Sequence, residues 1–324
     1  MAKTGILLVG FGGPRSLDEV APMLQRVMGS SLPAAQMEKV VSSARAKYEL
    51  IGGKSPSVEI AETICVALKA ALDKAGEKIC AIEVGMGFSE PFIEDAIERL
   101  ADTGCKRIIY FSLTAFESWV AWEGPYQHSK EVALKQGISE VVKAPVFGPS
   151  SAYLNAHADN IRKAYFDLVQ HAYQDDASVQ EVNLAFVAHS LPIDDDQEMS
   201  ARYEQQLLAA ASLLITGMPM PFESGTLCYV SAGARGGKWL EPSLDTIFSK
   251  LALRGADTLI VCPLGFATDH MEVLYDLDIA AVKKAKDQDI TLIRTPTLAT
   301  LESINPGLIE SFVASVQSAL VSTP

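Results

Sequence analysis

The segment TDHMEVLYDLD, residues 268–278, places one histidine and four carboxylates within eleven residues. It follows an apolar run, DTLIVCPLGFA, that predicts a buried strand. Imidazole and carboxylate side chains transfer protons and bind transition metals. We therefore predict a site that handles protons or cations at the end of this strand, with Asp269, His270 and Glu272 as candidates.

A second histidine, His189, ends another predicted strand in the segment FVAHSLP. Ligands of open parallel sheets bind beyond the carboxyl ends of the strands, so His189 is expected to join His270 and Glu272 in one cleft. Two imidazoles and a carboxylate can bind a metal or accept protons from a substrate, and the residues alone leave both roles open. On an α-helix, Asp269, Glu272 and Asp276 would share one face as a ladder of carboxylates.

Some polar residues read as ordinary surface. The residues alone favour a solvated helix face for Asp276 and Asp278. His128, His157 and His171 lie in polar or helical surroundings that predict exposure.

Short apolar runs alternate with amphipathic helical patterns along the whole chain, which predicts an α/β fold with doubly wound parallel sheets. The predicted strands are 5–10, 78–85, 107–113, 141–146, 182–189, 225–231, 258–263 and 291–294. The predicted helices are 57–74, 91–102, 151–171, 199–214, 240–254 and 305–320.

The two halves of the chain resemble each other. EPFIEDAIERLADTGCKRIIYFSL at 90–113 aligns without a gap to EPSLDTIFSKLALRGADTLIVCPL at 241–264, and LLVGFGGP aligns to AFVAHSLP. Two matches in the same order indicate an internal duplication. We predict an N-terminal half at 1–145 and a C-terminal half at 146–324 that carries the catalytic residues, with the last helix free to pack on the first half. Phe11 then lies opposite His189 in the alignment. The C-terminal half therefore carries the candidate reactive side chains, and the N-terminal half has apolar side chains at the corresponding places.

Composition and short motifs argue against several classes of protein. A net charge of −13 argues against a nucleic-acid binder. The five cysteines are scattered singly, which is typical of reduced thiols in the cytoplasm, where we expect the protein. No apolar window is long enough for a transmembrane helix, although peripheral membrane contact stays open. VGFGGP and IGGKSP match no nucleotide-binding motif, so no nucleotide cofactor is expected.

Five segments together identify a family resemblance: GILLVGFGGPRSLDEV, YELIGGKSP, FVAHSLP, KWLEPSLDTI and PLGFATDHMEVLYDLDI. In this order, over nearly the whole chain, they resemble ferrochelatase. The resemblance implies two facing flavodoxin-like halves with a porphyrin bound in the cleft between them. It implies catalytic roles for His189, Glu272 and His270, metal contact by His189 and Glu272, and a proton or metal path through Asp269 and Asp276.

The resemblance further implies that Fe²⁺ is a substrate and that no cofactor is permanently bound. The last residues, SVQSALVSTP, contain no cysteine, so the iron–sulfur cluster of some relatives is predicted to be absent. We predict substrate contacts by Phe11, Lys54, Ser55, Trp119 and Trp239.

Pocket segments differ from the family. AHSLP is followed by IDDDQEM where relatives have Gly-Asp-Pro-Tyr, and the segment after the third strand reads SLTAFESWVAWEGPY. The main hypothesis is insertion of Fe²⁺ into protoporphyrin IX, with coproporphyrin III as the alternative substrate. A tetrapyrrole or metal carrier without insertion activity, and a metal-dependent hydrolase using His189, His270 and Glu272, are alternatives of other classes. The oligomeric state is not predicted.

Overall fold

The computed structural model describes residues 3–29, 32–174, 181–193, 197–233 and 237–321. The chain divides into two units, each assembled from separate stretches of sequence. The first unit comprises residues 1–147, 268–271 and 299–324, and the second comprises residues 148–267 and 272–298. Asp194–Asp196, within the segment that departs from the family after AHSLP, lie outside the described residues.

The first unit is built on a parallel sheet of four strands in the order β2-β1-β3-β4. Its strands are β1 (Thr4–Gly10), β2 (Ile79–Met86), β3 (Arg107–Ser112) and β4 (Glu140–Lys143). Its helices are α1 (Val20–Met28), α2 (Ala34–Leu50), α3 (Ser57–Lys74), α4 (Ile93–Asp102), α5 (Gly124–Lys135) and, from the end of the chain, α10 (Pro306–Val321). A π-helix, the first π-helix, spans Trp119–Glu123 and runs into α5.

The second unit repeats this plan with the strand order β6-β5-β7-β8. Its strands are β5 (Val182–His189), β6 (Ser224–Val230), β7 (Thr258–Cys262) and β8 (Thr291–Arg294). Its α-helices are α6 (Ser151–Gln174), α7 (Gln197–Gly217), α8 (Leu244–Arg254) and α9 (Val282–Lys286). The second π-helix spans Glu272–Ala281 and runs into α9.

Hydrophobic patterning explains these layers. The central strands β1 and β5 are almost continuously apolar and buried, as expected of parallel strands covered on both faces. Helix α4 buries Ile93, Ala96, Ile97 and Leu100, which recur at helical spacing along one face. The predicted α/β fold class with two parallel-sheet halves is confirmed.

A hydrogen bond closes the connection after the second strand of each sheet. The Met86 amide, at the end of β2, donates to Pro91 O at 2.7 Å, and the Tyr229 amide, near the end of β6, donates to Pro242 O at 2.9 Å. The two prolines belong to the Glu-Pro pairs that the sequence alignment matched.

Three differences from the predictions stand out. The predicted helices do not include α1, α2, α5 or α9, and the segment after β7 forms a π-helix rather than the α-helix considered for it. His157 was predicted to be exposed and is fully buried on α6, so that prediction is wrong. Its ring packs edge-on against Tyr153, with centroids 4.6 Å apart. Among the described residues, no helix combines the length and the hydropathy that a membrane crossing requires.

Candidate active site

His189 is the last residue of β5, at the carboxyl edge of the second unit's sheet. Its backbone carbonyl accepts a hydrogen bond from the Tyr203 hydroxyl of α7 at 3.2 Å. Burial keeps the pKa of Tyr203 far above its usual value, so the hydroxyl is protonated and able to donate. The next residue, Ser190, is buried and donates its hydroxyl to Leu240 O at 3.0 Å. The strand end that carries His189 is therefore fixed on both sides.

A single hydrogen bond sets the tautomer of His189. Its Nδ1 lies 2.6 Å from the carbonyl oxygen of Ser190. A carbonyl oxygen can only accept, so Nδ1 carries the proton in the neutral ring. Nε2 then holds a lone pair, which can accept a proton or bind a metal. The half-buried ring is thus prepared as a base or as a ligand.

The loop after β7 crosses close to the same strand. The Gly265 amide donates to Val187 O at 2.9 Å, and a Cβ on Gly265 would lie 2.5 Å from the Cβ of Ala188. Only glycine allows this approach next to His189. The loop brings the chain from the end of β7 towards the residues of the carboxylate motif.

The second π-helix carries the carboxylates. Glu272 is its first residue and Asp276 lies four residues later, both half-buried. A π-helix bonds each residue to the fifth one along, so its turn is wider than the 3.6 residues of an α-helix. Residues four apart therefore lie on much the same side, which puts Glu272 and Asp276 together. β5 and β7 are adjacent in the sheet, so His189 and this segment follow neighbouring strand ends.

Two side chains outside the π-helix hold it in place. The Ser231 hydroxyl, just after β6, donates to Asp276 Oδ2 at 2.5 Å. The Arg294 guanidinium, at the end of β8, binds both carboxylate oxygens of Asp278, with Nη2 2.8 Å from Oδ2. Asp278 is therefore an anchor rather than a solvated side chain. Neither Ser231 nor Arg294 was predicted.

Asp269 and His270 precede the π-helix and belong to the first unit. Asp269 is buried, and its amide donates to Ala299 O at 3.0 Å. The predicted ladder of carboxylates on one helix face is therefore wrong for Asp269, because Asp269 and His270 lie before the first helical residue. The roles of Asp269 and His270 in catalysis or in the proton path stay predictions.

In the first unit, Phe11 occupies the place after β1 that His189 has at the end of β5. It is 39% exposed, and its ring lies 4.6 Å from that of Phe88. Trp119, at the start of the first π-helix, is 53% exposed. Both side chains offer apolar surface at the same edge of the first sheet, because their segments follow the neighbouring strands β1 and β3. Trp239, in the second unit, is half-buried.

Lys54 and Ser55 differ in accessibility. Lys54 is about half exposed and its Nζ lies 2.6 Å from Glu59 Oε1. Ser55 is buried, its amide donates to Pro14 O at 2.8 Å, and its hydroxyl hydrogen bonds with that of Ser57. A Cβ on Gly13 would lie 2.4 Å from the Cβ of Ser55, so Ser55 supports the glycine loop from beneath. Lys54 alone of the pair offers a charge to a ligand.

Within the described part of the chain, no three His, Cys, Asp or Glu side chains are grouped closely enough to hold a metal ion. A resident catalytic zinc site takes three protein ligands and an open position. The hydrolase alternative therefore finds no ligand set in these residues.

Comparison with known proteins gives one family. A family model described as Ferrochelatase matches residues 3–316. A protein of Mycolicibacterium vanbaalenii named coproporphyrin III ferrochelatase is 30% identical over 304 residues, covering 92% of this chain and 85% of the relative. A ferrochelatase of Aquifex aeolicus is 32% identical over 323 residues, covering 95% and 97%.

The fold has a solved counterpart. SirB from Bacillus subtilis, solved with Fe³⁺, superposes with a TM-score of 0.58 and covers 98% of this chain and 96% of its own. At 16% identity the likeness concerns the fold alone.

Proposed function

The chain belongs to the ferrochelatase family of metal chelatases, and we propose that it inserts Fe²⁺ into coproporphyrin III through His189 and the carboxylates of the second π-helix. The observation that carries the proposal is the Nδ1 hydrogen bond of His189, which leaves Nε2 as a proton acceptor at the carboxyl edge of the sheet. Insertion forms the iron porphyrin from Fe²⁺ and the free porphyrin and releases two pyrrole protons. The site must therefore supply proton acceptors and a route for the protons.

We assign a separate role in proton removal to each residue of the site. In the proposal, His189 Nε2 accepts a pyrrole proton, and Glu272 faces the incoming metal or the second proton. Asp276, on the same side of the π-helix, receives protons from Glu272 and passes them on. Asp269 and His270 extend this path. Carboxylates are hard ligands that release a divalent cation more readily than thiolates do, which suits a metal delivered to the ring.

Coproporphyrin III is favoured by the relatives, among which the Mycolicibacterium vanbaalenii protein carries that substrate in its name. A tetrapyrrole with several carboxylates needs cations at its rim. Lys54 is proposed as one contact, because an exposed ion pair such as Lys54–Glu59 contributes at most about 1 kcal/mol and exchanges easily for a ligand carboxylate. Phe11, Trp119 and Trp239 are proposed to pack against the flat ring.

Protoporphyrin IX is the second candidate. The Aquifex aeolicus relative is named simply ferrochelatase, with no porphyrin specified. Few basic side chains accompany the pocket segments, which favours the porphyrin with fewer carboxylates. The two candidates differ only in the rim contacts, since the same residues remove the same two protons.

The test is an anaerobic insertion assay with Fe²⁺ that offers each porphyrin separately and follows the absorbance of the metalloporphyrin. We expect turnover with both porphyrins and a higher kcat/KM with coproporphyrin III. Lys54→Met should raise the KM for coproporphyrin III more than the KM for protoporphyrin IX. A higher kcat/KM with protoporphyrin IX would overturn the substrate assignment. No metalloporphyrin from either, with tight binding of both, would establish a carrier instead.

Glu272→Gln tests the carboxylate in the same assay. We expect porphyrin affinity to be retained while kcat falls roughly a hundredfold, the lower range for a lost proton-transfer group. Glu310→Gln, on an exposed position of α10, is the matched control and should match the wild type. Unchanged turnover in Glu272→Gln would remove Glu272 from the mechanism.

A further inference from the structure

Ser231 has a backbone conformation that serine rarely adopts. Its φ is 61°, in the left-handed region that favours glycine. Asp289, with φ 56°, is the other described residue of this kind apart from glycines, and it lies in the turn that follows α9. Left-handed residues are common just after helices, so Asp289 has a local explanation. Ser231 directly follows a strand, and no such explanation applies to it.

The conformation directs the hydroxyl to the second π-helix. Ser231 Oγ donates to Asp276 Oδ2 at 2.5 Å, a short hydrogen bond of the kind formed between a hydroxyl and an ionised carboxylate. Such bonds contribute more than neutral ones and restrict the acceptor to one rotamer. Ser231 is half-buried, which limits competition from water.

The second π-helix has another anchor besides this bond. Arg294 already holds the same π-helix through both oxygens of Asp278. The two carboxylates lie two residues apart, so they leave the helix in different directions. Ser231 therefore acts on one side chain, Asp276, on the side that also carries Glu272.

We infer that Ser231 is a positioning residue that holds the Asp276 carboxylate in line with Glu272. The inference rests on the proposed function, since it assigns Ser231 to the proton path of that site. A strained backbone conformation persists where the surroundings require it, often at functional sites. Here the required feature is the hydroxyl aimed at Asp276.

Substitutions at Ser231 separate the hydroxyl from the backbone. Ser231→Gly removes the hydroxyl and adopts positive φ freely, whereas Ser231→Ala removes the hydroxyl and keeps the strain. We expect both to lower kcat about tenfold, as one charge-assisted hydrogen bond allows, with KM for the porphyrin unchanged. Ser231→Gly should be the more stable of the two in urea. Asp289→Gly, the other relief of positive φ, is the control and should keep wild-type kcat.

A double-mutant cycle with Asp276→Asn decides whether Ser231 acts through Asp276. If it does, Ser231→Gly should have little further effect on kcat in the Asp276→Asn background, whereas a purely structural role would add its full loss. Wild-type kcat in Ser231→Gly, or additive losses, would overturn the inference while the proposed function stands. A wild-type protein that forms no metalloporphyrin would overturn the proposed function and this inference with it.

Discussion

The two π-helices are built alike and carry different side chains. Each follows the third strand of its sheet in sequence, and each is held by a cation on the last residue of the fourth strand: Lys143 binds Glu123, and Arg294 binds Asp278. The aligned halves, extended without a gap, place Lys143 opposite Arg294. The first π-helix then exposes Trp119, whereas the second presents Glu272 and Asp276.

The two π-helices share their position after the third strand and a cationic anchor, and they differ in the side chains that they present. The same contrast occurs at the central strands, where Phe11 follows β1 and His189 ends β5. A cationic anchor recurs at each π-helix, a kind of helix that is rare in proteins and frequent at functional sites. In both comparisons, of the π-helices and of the central strands, the candidate reactive side chains lie in the second unit.

The largest effect is expected from His189→Ala. Removal of a proton acceptor should lower kcat by roughly 10²–10⁴, with porphyrin affinity nearly retained. Phe11→Ala, at the corresponding place in the first unit, should instead raise the KM for the porphyrin and leave kcat within a few-fold. The assay is metalloporphyrin formation with Fe²⁺, and His171→Ala on an exposed turn of α6 serves as the control. A loss of kcat in Phe11→Ala equal to that in His189→Ala would break the division between the units.

A second contrast lies in the long helices α6 and α10, where the same ungapped alignment places His157 opposite Leu308. Both are fully buried. Burial lowers the pKa of His157 to about 3, so the folded state keeps this ring neutral. The unfolded state takes up a proton below about pH 6.5, which makes folding less favourable as the pH falls from there towards 3.

His157→Leu should therefore make the free energy of unfolding fall less steeply as the pH is lowered. In the wild type this residue should contribute a loss of up to about 1.4 kcal/mol for each pH unit below about 6.5. The measurement is the free energy of unfolding in urea at pH 7, 6, 5 and 4. His171→Leu controls for the loss of an exposed histidine. An equal decline in His157→Leu and wild type would show that this ring does not cause it.

The two anchors should contribute similarly to stability. Lys143→Met and Arg294→Met are each expected to lower the free energy of unfolding by about 1–3 kcal/mol, because each leaves a partly buried carboxylate without its cation. Lys143 also lies 3.7 Å from the centroid of the Trp122 ring, which adds a cation–π contact. Lys163→Met, which removes an exposed helical pair, should change stability by less than about 0.5 kcal/mol.

The pH dependence of the first anchor follows from Glu123. Burial alone would raise the pKa of Glu123, but hydrogen bonds from Lys143 and Gln127 outweigh it and the pKa is lowered. A lowered carboxyl pKa contributes stability above the unfolded value of about 4.3 and loses it as the pH falls through the folded value. The difference between wild type and Lys143→Met should therefore shrink in acid. Function separates the anchors: only Arg294→Met should reduce kcat severalfold, and equal kcat losses would contradict the comparison.

Local sequence patterns were enough to predict most strands of the two sheets. The bounds of β5, β8 and α3 agree with the structure because apolar runs and amphipathic periodicity are properties of short segments. Helix α2 escaped detection because only Tyr48 along it is buried, which leaves no clear apolar stripe. His157 was misassigned for the reverse reason, since the packing that buries it comes from distant residues such as Cys262.

Some site residues were predicted and others were not, again because local motifs are visible in the sequence and contacts between distant segments are not. His189 and Glu272 lie in distinctive motifs, whereas the segment that forms the π-helix was read as an α-helix. The side chains that contact this helix, Ser231 and Arg294, lie far from it in sequence. Lys143 and Arg294 did have a signal, since the duplication aligns them. The positive φ of Ser231 has none, because no residue type near it marks a left-handed serine.

The smallest effect is expected at Trp119. An aromatic contact contributes about 0.5–1.5 kcal/mol beyond the area it buries, so Trp119→Ala should weaken porphyrin binding by about two- to tenfold. Trp119→Phe should keep most of the affinity, and neither should alter kcat at saturating porphyrin. Titration of porphyrin fluorescence gives the Kd, and Leu134→Ala, an exposed apolar residue on α5, is the control. A fall in kcat without a change in Kd would mean that the first π-helix takes part in the chemistry, which would erase the contrast between the two π-helices.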